Sequence, residues 1–271
     1  MLTARTFLLR GLLAGLIAGI VTFGVAYVVG EPPVDAAIAL EESAAPADEP
    51  GAVAAAPDDH AHDEGTPEHS HGEDAEVSRS TQSTWGLLTG TVLFGLAVGG
   101  ILGLASAFAL GRFGRAGVRG TVATVAAIGF GAAFLVPFLK YPANPPAVGD
   151  GETIGRRTGL FFAFLAVSVV AAVLATVLAR RAAGTLGGFR AGALAVLGYL
   201  VVVVVAVRLF PVIDEVGDFP ASLLWQFRTS SLAVELALWA VAAVVLGELM
   251  QRAVDRLPAP ARLVAPEPVA A

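Results

Sequence analysis

Six long apolar segments, separated by polar stretches, set the pattern of this chain. Each is about 17–26 residues long, close to the ~20 residues that a helix needs to cross a hydrocarbon core about 30 Å thick. The pattern predicts an all-α integral membrane protein with six transmembrane helices. Five is the alternative, because the fifth segment is the shortest. The predicted segments are 8–29, 85–110, 120–139, 158–179, 191–207 and 230–250.

The first segment follows Arg5 and Arg10 and could be mistaken for a signal peptide. Its apolar run exceeds the usual signal core of about 7–15 residues, and no convincing Ala-x-Ala site follows. We therefore predict a retained signal-anchor helix at 1–29, an external loop at 30–84, a five-helix body at 85–250 and a cytoplasmic tail at 251–271.

Small residues recur every four positions in the first two segments. This spacing favours close helix packing, with glycine-rich apolar filler as the alternative interpretation. The residues are Gly11, Gly15, Gly19, Gly95, Gly99 and Gly103.

Residues 30–84 are dominated by Ala, Pro, Glu, Asp and Ser. Such a stretch buries too little apolar surface to offset its chain entropy, so we expect disorder, apart from a short interfacial helix at 31–38. It holds fourteen of the twenty-three acids and one base, a net charge of −13, whereas the remainder of the chain carries +7. An acidic arm on a weakly basic body favours cations as partners and argues against nucleic acid.

The composition agrees with a membrane protein. The chain is 56% hydrophobic and 15% charged, whereas soluble proteins average about 25% charged residues. If every segment crosses, eleven basic residues fall on one side of the bilayer and six on the other. The positive-inside rule then predicts a multi-pass protein of the cell (inner) membrane with both termini in the cytoplasm and the acidic loop outside.

All four histidines lie in that loop, in two His-x-His pairs flanked by carboxylates. In an extended or turning chain, residues two apart project to the same side, so each pair can offer two imidazoles to one ion. Imidazole binds borderline divalent metals, and neighbouring carboxylates add charge and oxygens. The alternative is an acidic solubilising loop whose histidines do nothing. The candidate metal ligands are His60, His62, His69 and His71, with Asp59, Asp63, Glu68 and Glu73; Asp58, Glu64 and Asp74 add charge nearby.

Two further groups could lie on a transport path. A proline-rich run between the third and fourth segments carries Asn144, Asp150 and Glu152, which would line an outer vestibule or else form a rigid connection with a capped helix. Glu235 lies seven residues past Arg228 in the final segment, and an ionisable residue at that depth is a functional candidate unless Arg208 or Arg228 neutralises it. Glu248, one turn before Arg252, predicts an ordinary surface pair.

Several function classes are excluded by residue type. With no cysteine and only Met1 and Met250 as methionines, thiolate sites and soft Cu(I) handling are not expected. The chain has no P-loop, Rossmann fingerprint, H-E-x-x-H or G-x-S-x-G motif. Histidines on a flexible loop are also poorly organised for catalysis, so we do not expect an enzyme or a tightly bound cofactor.

The chain resembles the CbtA family, predicted membrane subunits of a cobalt transporter. The resemblance rests on Gly30-Glu31-Pro32 with Asp35, on the histidine-rich loop, and on the runs at 137–155 and 219–228; Gly151 stands where the family pattern has proline. The resemblance implies about five spans, Co²⁺ as cargo in a setting linked to cobalamin synthesis, and a small single-span partner subunit with its own histidines.

These observations lead to one functional prediction and one alternative. We predict uptake of a divalent transition metal, with cobalt favoured and nickel or zinc as alternatives, captured on the external loop and passed to the helical body. Affinity at imidazole–carboxylate sites rises from cobalt through nickel to copper, so the ligands alone do not name the metal. The alternative is a non-transporting metal-sensing or assembly subunit.

Overall fold

The computed structural model describes residues 3–44, 78–112 and 116–256. This part of the chain contains six helices long and apolar enough to span a membrane, so the prediction of six spans is confirmed over the alternative of five. They are α1 (Ala4–Ser43), α2 (Arg79–Ala109), α3 (Val118–Lys140), α4 (Gly151–Leu186), α5 (Gly188–Leu209) and α6 (Ala221–Asp255).

Helix α1 continues well beyond the apolar segment that predicts it. A π-helical turn at Ala26–Gly30 joins the first part to Glu31–Ala44, so the prolines at 32 and 33 follow a wide turn and do not end the helix. At the other side of the acidic segment, α2 begins at Arg79, six residues before the apolar run. Residues near both ends of the predicted external loop are therefore helical.

Helices α1 and α2 pack antiparallel along their glycines. A Cβ atom built on Gly95 would lie 2.5 Å from the Gly15 carbonyl oxygen, and one built on Gly19 would lie 2.6 Å from the Thr91 carbonyl oxygen. The two backbones therefore touch directly, which only glycine allows. The four-residue spacing is a packing seam.

Helices α1, α2, α3 and α6 form the central bundle. Its core is built of small and branched side chains from all four helices, with Ala18, Leu102, Val122 and Leu246 almost fully buried. At one end of the bundle Arg119 of α3 pairs with Glu248 of α6 at 2.8 Å. The predicted partner of Glu248, Arg252 on the same helix, does not appear among the ion pairs of the described residues.

Helices α4 and α5 form a hairpin on the side of this bundle. They turn at Gly187, whose φ of +77° suits glycine. Ser168 of α4 donates a hydrogen bond to the Ala132 carbonyl (2.7 Å) and pairs with the Tyr199 hydroxyl of α5 (2.8 Å). Ala132 lies in another π-helical stretch, Phe130–Leu135. This polar junction ties the hairpin to α3, while most of its large apolar side chains face outward, as lipid contact requires.

Candidate functional site

The ends of α1 and α2 that flank the acidic segment are held together by one arginine. Arg79 Nε donates to Asp35 Oδ1 at 2.9 Å, and a terminal nitrogen of Arg79 donates to Glu31. Glu31 and Asp35 lie one helical turn apart on the same face of α1. The Glu31 side chain is 14% exposed and that of Asp35 is 60% exposed. We call these three residues the outer clasp.

A cavity of about 320 Å³ lies between α1, α2 and α6, close to the outer clasp. Its position follows from neighbouring residues: a Cβ atom on Gly30, next to Glu31, would lie 3.9 Å from Cγ2 of Val234, next to Glu235. The polar lining groups are Thr22 of α1, Thr91 of α2 and Glu235 of α6. The remaining wall is apolar or glycine, so these three side chains dominate its chemistry.

Glu235 lies half-buried in this cavity without a cation partner in the described part of the chain. Trp239 lies one turn later on α6, on the same side of the helix. Arg228 donates instead to the Ala143 carbonyl and to Asn144 Oδ1, and Arg208 is exposed. Neither arginine therefore neutralises Glu235. Such neutralisation was the structural alternative to a functional role for a carboxylate at this depth.

Thr22 adds a second unusual polar group. The residue is 3% exposed, and its hydroxyl oxygen has no hydrogen-bond partner among the described residues. A buried hydroxyl without a partner costs about 1–3 kcal/mol. The Thr91 hydroxyl donates to the Leu88 carbonyl at 3.1 Å, which leaves its oxygen able to accept or to coordinate.

Two of the predicted vestibule side chains, Asn144 and Asp150, make hydrogen bonds within the protein. Asn144 Oδ1 accepts from Arg228 at 3.0 Å, and Asp150 Oδ1 accepts from the Glu152 amide at 2.9 Å at the start of α4. The Glu152 side chain is exposed. Asn144 and Asp150 thus have different hydrogen-bond partners, and all three predicted residues lie at the same end of the bundle.

A further acid, Glu215, links the loops that precede α4 and α6. We call these linked loops the braced loops. Its Oε2 accepts from the Asp150 amide (3.2 Å) and the Thr153 hydroxyl (3.0 Å), and it forms an ion pair with Arg157 Nε at 3.3 Å. Nearby, the Tyr141 hydroxyl donates to the Pro211 carbonyl at 2.8 Å, and burial raises the pKa of this phenol, which keeps it protonated as a donor. The loops before α4 and α6 are thus cross-linked.

The predicted metal ligands lie outside the described residues. They are His60, His62, His69 and His71 with Asp59, Asp63, Glu68 and Glu73. Within the described ranges, no group of three or more His, Cys, Asp or Glu side chains could hold a metal ion.

Comparison with known proteins identifies the family. The sequence profile described as "Probable cobalt transporter subunit (CbtA)" matches residues 4–251 of the 271. The chain belongs to the CbtA family. The match covers the first five helices of this CbtA protein and α6 up to residue 251, and with them the outer clasp and the cavity. No curated protein and no solved structure matches it.

Two groups in this CbtA protein were not found from its sequence. Arg79 is the one base among the fourteen acids of residues 30–84, a signal that it has a specific partner, but the sequence does not show which acids it meets. Thr22 carries no signal, because a threonine in an apolar helix is unremarkable until its neighbours are known.

Proposed function

We propose that this chain is a membrane subunit that takes up a divalent transition metal ion, with Co²⁺ as the favoured cargo and Ni²⁺ or Zn²⁺ as alternatives. Membership of a family described as a cobalt transporter subunit, over residues 4–251, is the observation that carries the proposal. The six spanning helices supply the membrane body that such a subunit needs. The protein has no catalytic role in this proposal and holds no permanent cofactor.

The proposed orientation places both termini in the cytoplasm. It rests on the excess of basic residues at the end of the bundle where Arg119 meets Glu248. The outer clasp, the braced loops and the acidic segment then face outward. That side of the cell membrane is where metal ions arrive from the environment.

Metal capture is assigned to the acidic segment. Its net charge of −13 over residues 30–84 concentrates cations near the membrane surface. His60, His62, His69 and His71, with Asp59, Asp63, Glu68 and Glu73, then bind an ion reversibly. Reversible binding is expected from the polar, acidic sequence of this segment, because such a ligand set must lose conformational entropy when it closes around a metal, which limits affinity.

In this proposal, the outer clasp brings a captured ion to the membrane body. Arg79 joins the beginning of α2 to Glu31 and Asp35 of α1. The chain between Asp35 and Arg79, which carries the histidines, therefore leaves the membrane body and returns to it at one place. An ion released there lies at the same end of the bundle as the braced loops, where Glu152 is exposed, and Asp35 of the clasp adds negative charge. A small single-span subunit with its own histidines is the proposed protein partner, and the lipid bilayer surrounds both.

Replacing the histidines tests the capture role. In cells expressing the protein, His60→Ala, His62→Ala, His69→Ala and His71→Ala together should raise the external cobalt needed for half-maximal uptake by about tenfold, since each lost imidazole removes metal-binding free energy. Maximal uptake at high cobalt and membrane insertion should stay unchanged.

A charge variant provides the matched control. Glu41→Gln with Glu42→Gln removes two charges from the same acidic region and keeps every histidine. It should shift half-maximal uptake less than about twofold, because exposed charges are screened at physiological salt. If the four-histidine variant takes up cobalt at limiting concentration as the wild type does, the capture role is wrong.

A further inference from the structure

We infer that the cavity between α1, α2 and α6 binds one monovalent cation, a sodium ion or a proton, through Glu235 and Thr22. In this inference Glu235 is not a ligand for the divalent cargo. The site would couple transport to an ion gradient, and that coupling rests on the proposed function. The binding itself does not.

Charge balance is the first argument. Glu235 contributes one negative charge within a membrane-spanning helix, and within the described ranges no lysine or arginine pairs with it. An uncompensated charge at such depth is costly. One monovalent cation makes the site neutral, whereas a dehydrated divalent ion would leave a net positive charge there.

Ligand chemistry is the second argument. Thr22 belongs to the cavity lining, and its buried hydroxyl has no hydrogen-bond partner among the described residues, so its capacity to donate or to coordinate is unused. The Thr91 oxygen in the same lining is also available, because its proton is used on Leu88. All three side-chain ligands are hard oxygens. Imidazole and thiolate are the softer ligands that favour transition metals, and the lining contains neither.

The cavity has room for an ion with water. Gly86 and Gly90 line the α2 side, and a Cβ atom on Gly90 would meet nothing within 4 Å. At about 30 Å³ per water molecule, a volume of about 320 Å³ admits a cation together with several waters. Leu238 and Phe94 add apolar surface to the lining.

The surrounding charged groups are already engaged. Glu31 and Asp35 on α1 pair with Arg79 on α2, and Lys140 on α3 donates to the carbonyls of Val207 and Phe210. On α6 itself, Arg228 is held by Ala143 and Asn144. Glu235 is therefore the titratable group left to respond to an ion in this part of the described bundle.

Trp239 provides a direct reporter of occupancy. It neighbours Glu235, while Trp85 and Trp225 are 70% and 69% exposed and can be removed. The purified full-length protein with Trp85→Phe and Trp225→Phe would be titrated with NaCl against choline chloride, with pH, and with CoCl₂, while Trp239 emission is recorded. We expect a saturable response to sodium or to pH and none to submillimolar Co²⁺.

Two variants make the measurement decisive. Glu235→Gln keeps the shape of the side chain and removes its charge, so it should abolish the change in Trp239 emission. This variant should still elute at the wild-type volume in size-exclusion chromatography, which shows that it folds. Thr22→Val should weaken a sodium response by about tenfold and leave a proton response in place, whereas Thr22→Ser should match wild type. A Glu235-dependent response to Co²⁺, or no response to any of the three titrations, would overturn the inference.

Coupling is measured separately in proteoliposomes. Glu235→Gln should keep exchange of radioactive cobalt across the membrane but lose accumulation driven by an imposed sodium or proton gradient. Equal loss of exchange and accumulation would instead make Glu235 a cargo ligand. If wild type moves no cobalt at all, the proposed function fails, while the Trp239 titration still decides the cation site.

Discussion

The glycine seam between α1 and α2 gives a prediction whose size follows from distances. In Gly95→Ala the new methyl carbon would lie 2.5 Å from the Gly15 carbonyl oxygen and 3.0 Å from the Gly19 Cα. Ordinary van der Waals contact begins at 3.4 Å, so the two backbones must separate by about 0.9 Å. Neither neighbour can rotate away, since both are main-chain atoms.

The expected cost is that of overpacking a closely fitted interface. Such insertions typically destabilise by about 1–3 kcal/mol, because rigid neighbours must shift. The intrinsic helix preference of alanine over glycine returns about 0.5–1 kcal/mol at most. We therefore expect Gly95→Ala to lower the free energy of unfolding, measured by denaturant titration in detergent micelles.

Gly100→Ala is the matched control in the same helix. Its methyl carbon would meet the Leu12 Cδ2 at 3.2 Å and the Leu8 Cδ1 at 3.7 Å, both at the ends of flexible side chains. This variant should be as stable as wild type or slightly more stable. Equal stability of Gly95→Ala and wild type, or equal destabilisation by both variants, would refute the direct backbone contact.

Two other contacts give testable outcomes. Ser168→Ala removes the donor to the Ala132 carbonyl inside the bundle; we expect a loss of about 1–3 kcal/mol in the same titration, and an unchanged free energy of unfolding would count against this junction. Arg79→Met should release the outer ends of α1 and α2, seen as a broader distance distribution between spin labels placed on the two helices. Arg79→Lys, which keeps the charge, should restore part of the narrow distribution, and a narrow distribution in Arg79→Met would exclude the clasp. The absence of native cysteine makes the labelling specific.

The helical body could be predicted because its signals are local. Length and apolar content identify each span within about 20 residues, and the four-residue glycine spacing places Gly15 and Gly95 on packing faces without any knowledge of the partner. The helix at Glu31–Ala44 was harder to predict from the sequence. Proline usually begins or breaks a helix, and the π-helical turn at Ala26–Gly30 that lets α1 continue leaves no clear mark in the sequence.

Partners distant in sequence could not be predicted. Arg79 meets acids 44 and 48 residues earlier, and Glu248 pairs with Arg119, which lies 129 residues before it. Such pairs depend on which helices become neighbours, and the apolar pattern alone does not specify neighbours. The sequence indicates that Glu235 is unusual, because its depth in the final segment is a local property. The environment of Thr22 depends on neighbouring helices, so only the structure places it in the cavity.

Radioactive cobalt uptake into proteoliposomes holding only this purified chain tests the proposed transport most directly. We expect time-dependent, saturable accumulation above that of protein-free liposomes, competed by excess unlabelled Co²⁺. Uptake equal to that of protein-free liposomes, from a protein that still binds cobalt, would contradict transport and favour a metal-sensing or assembly subunit.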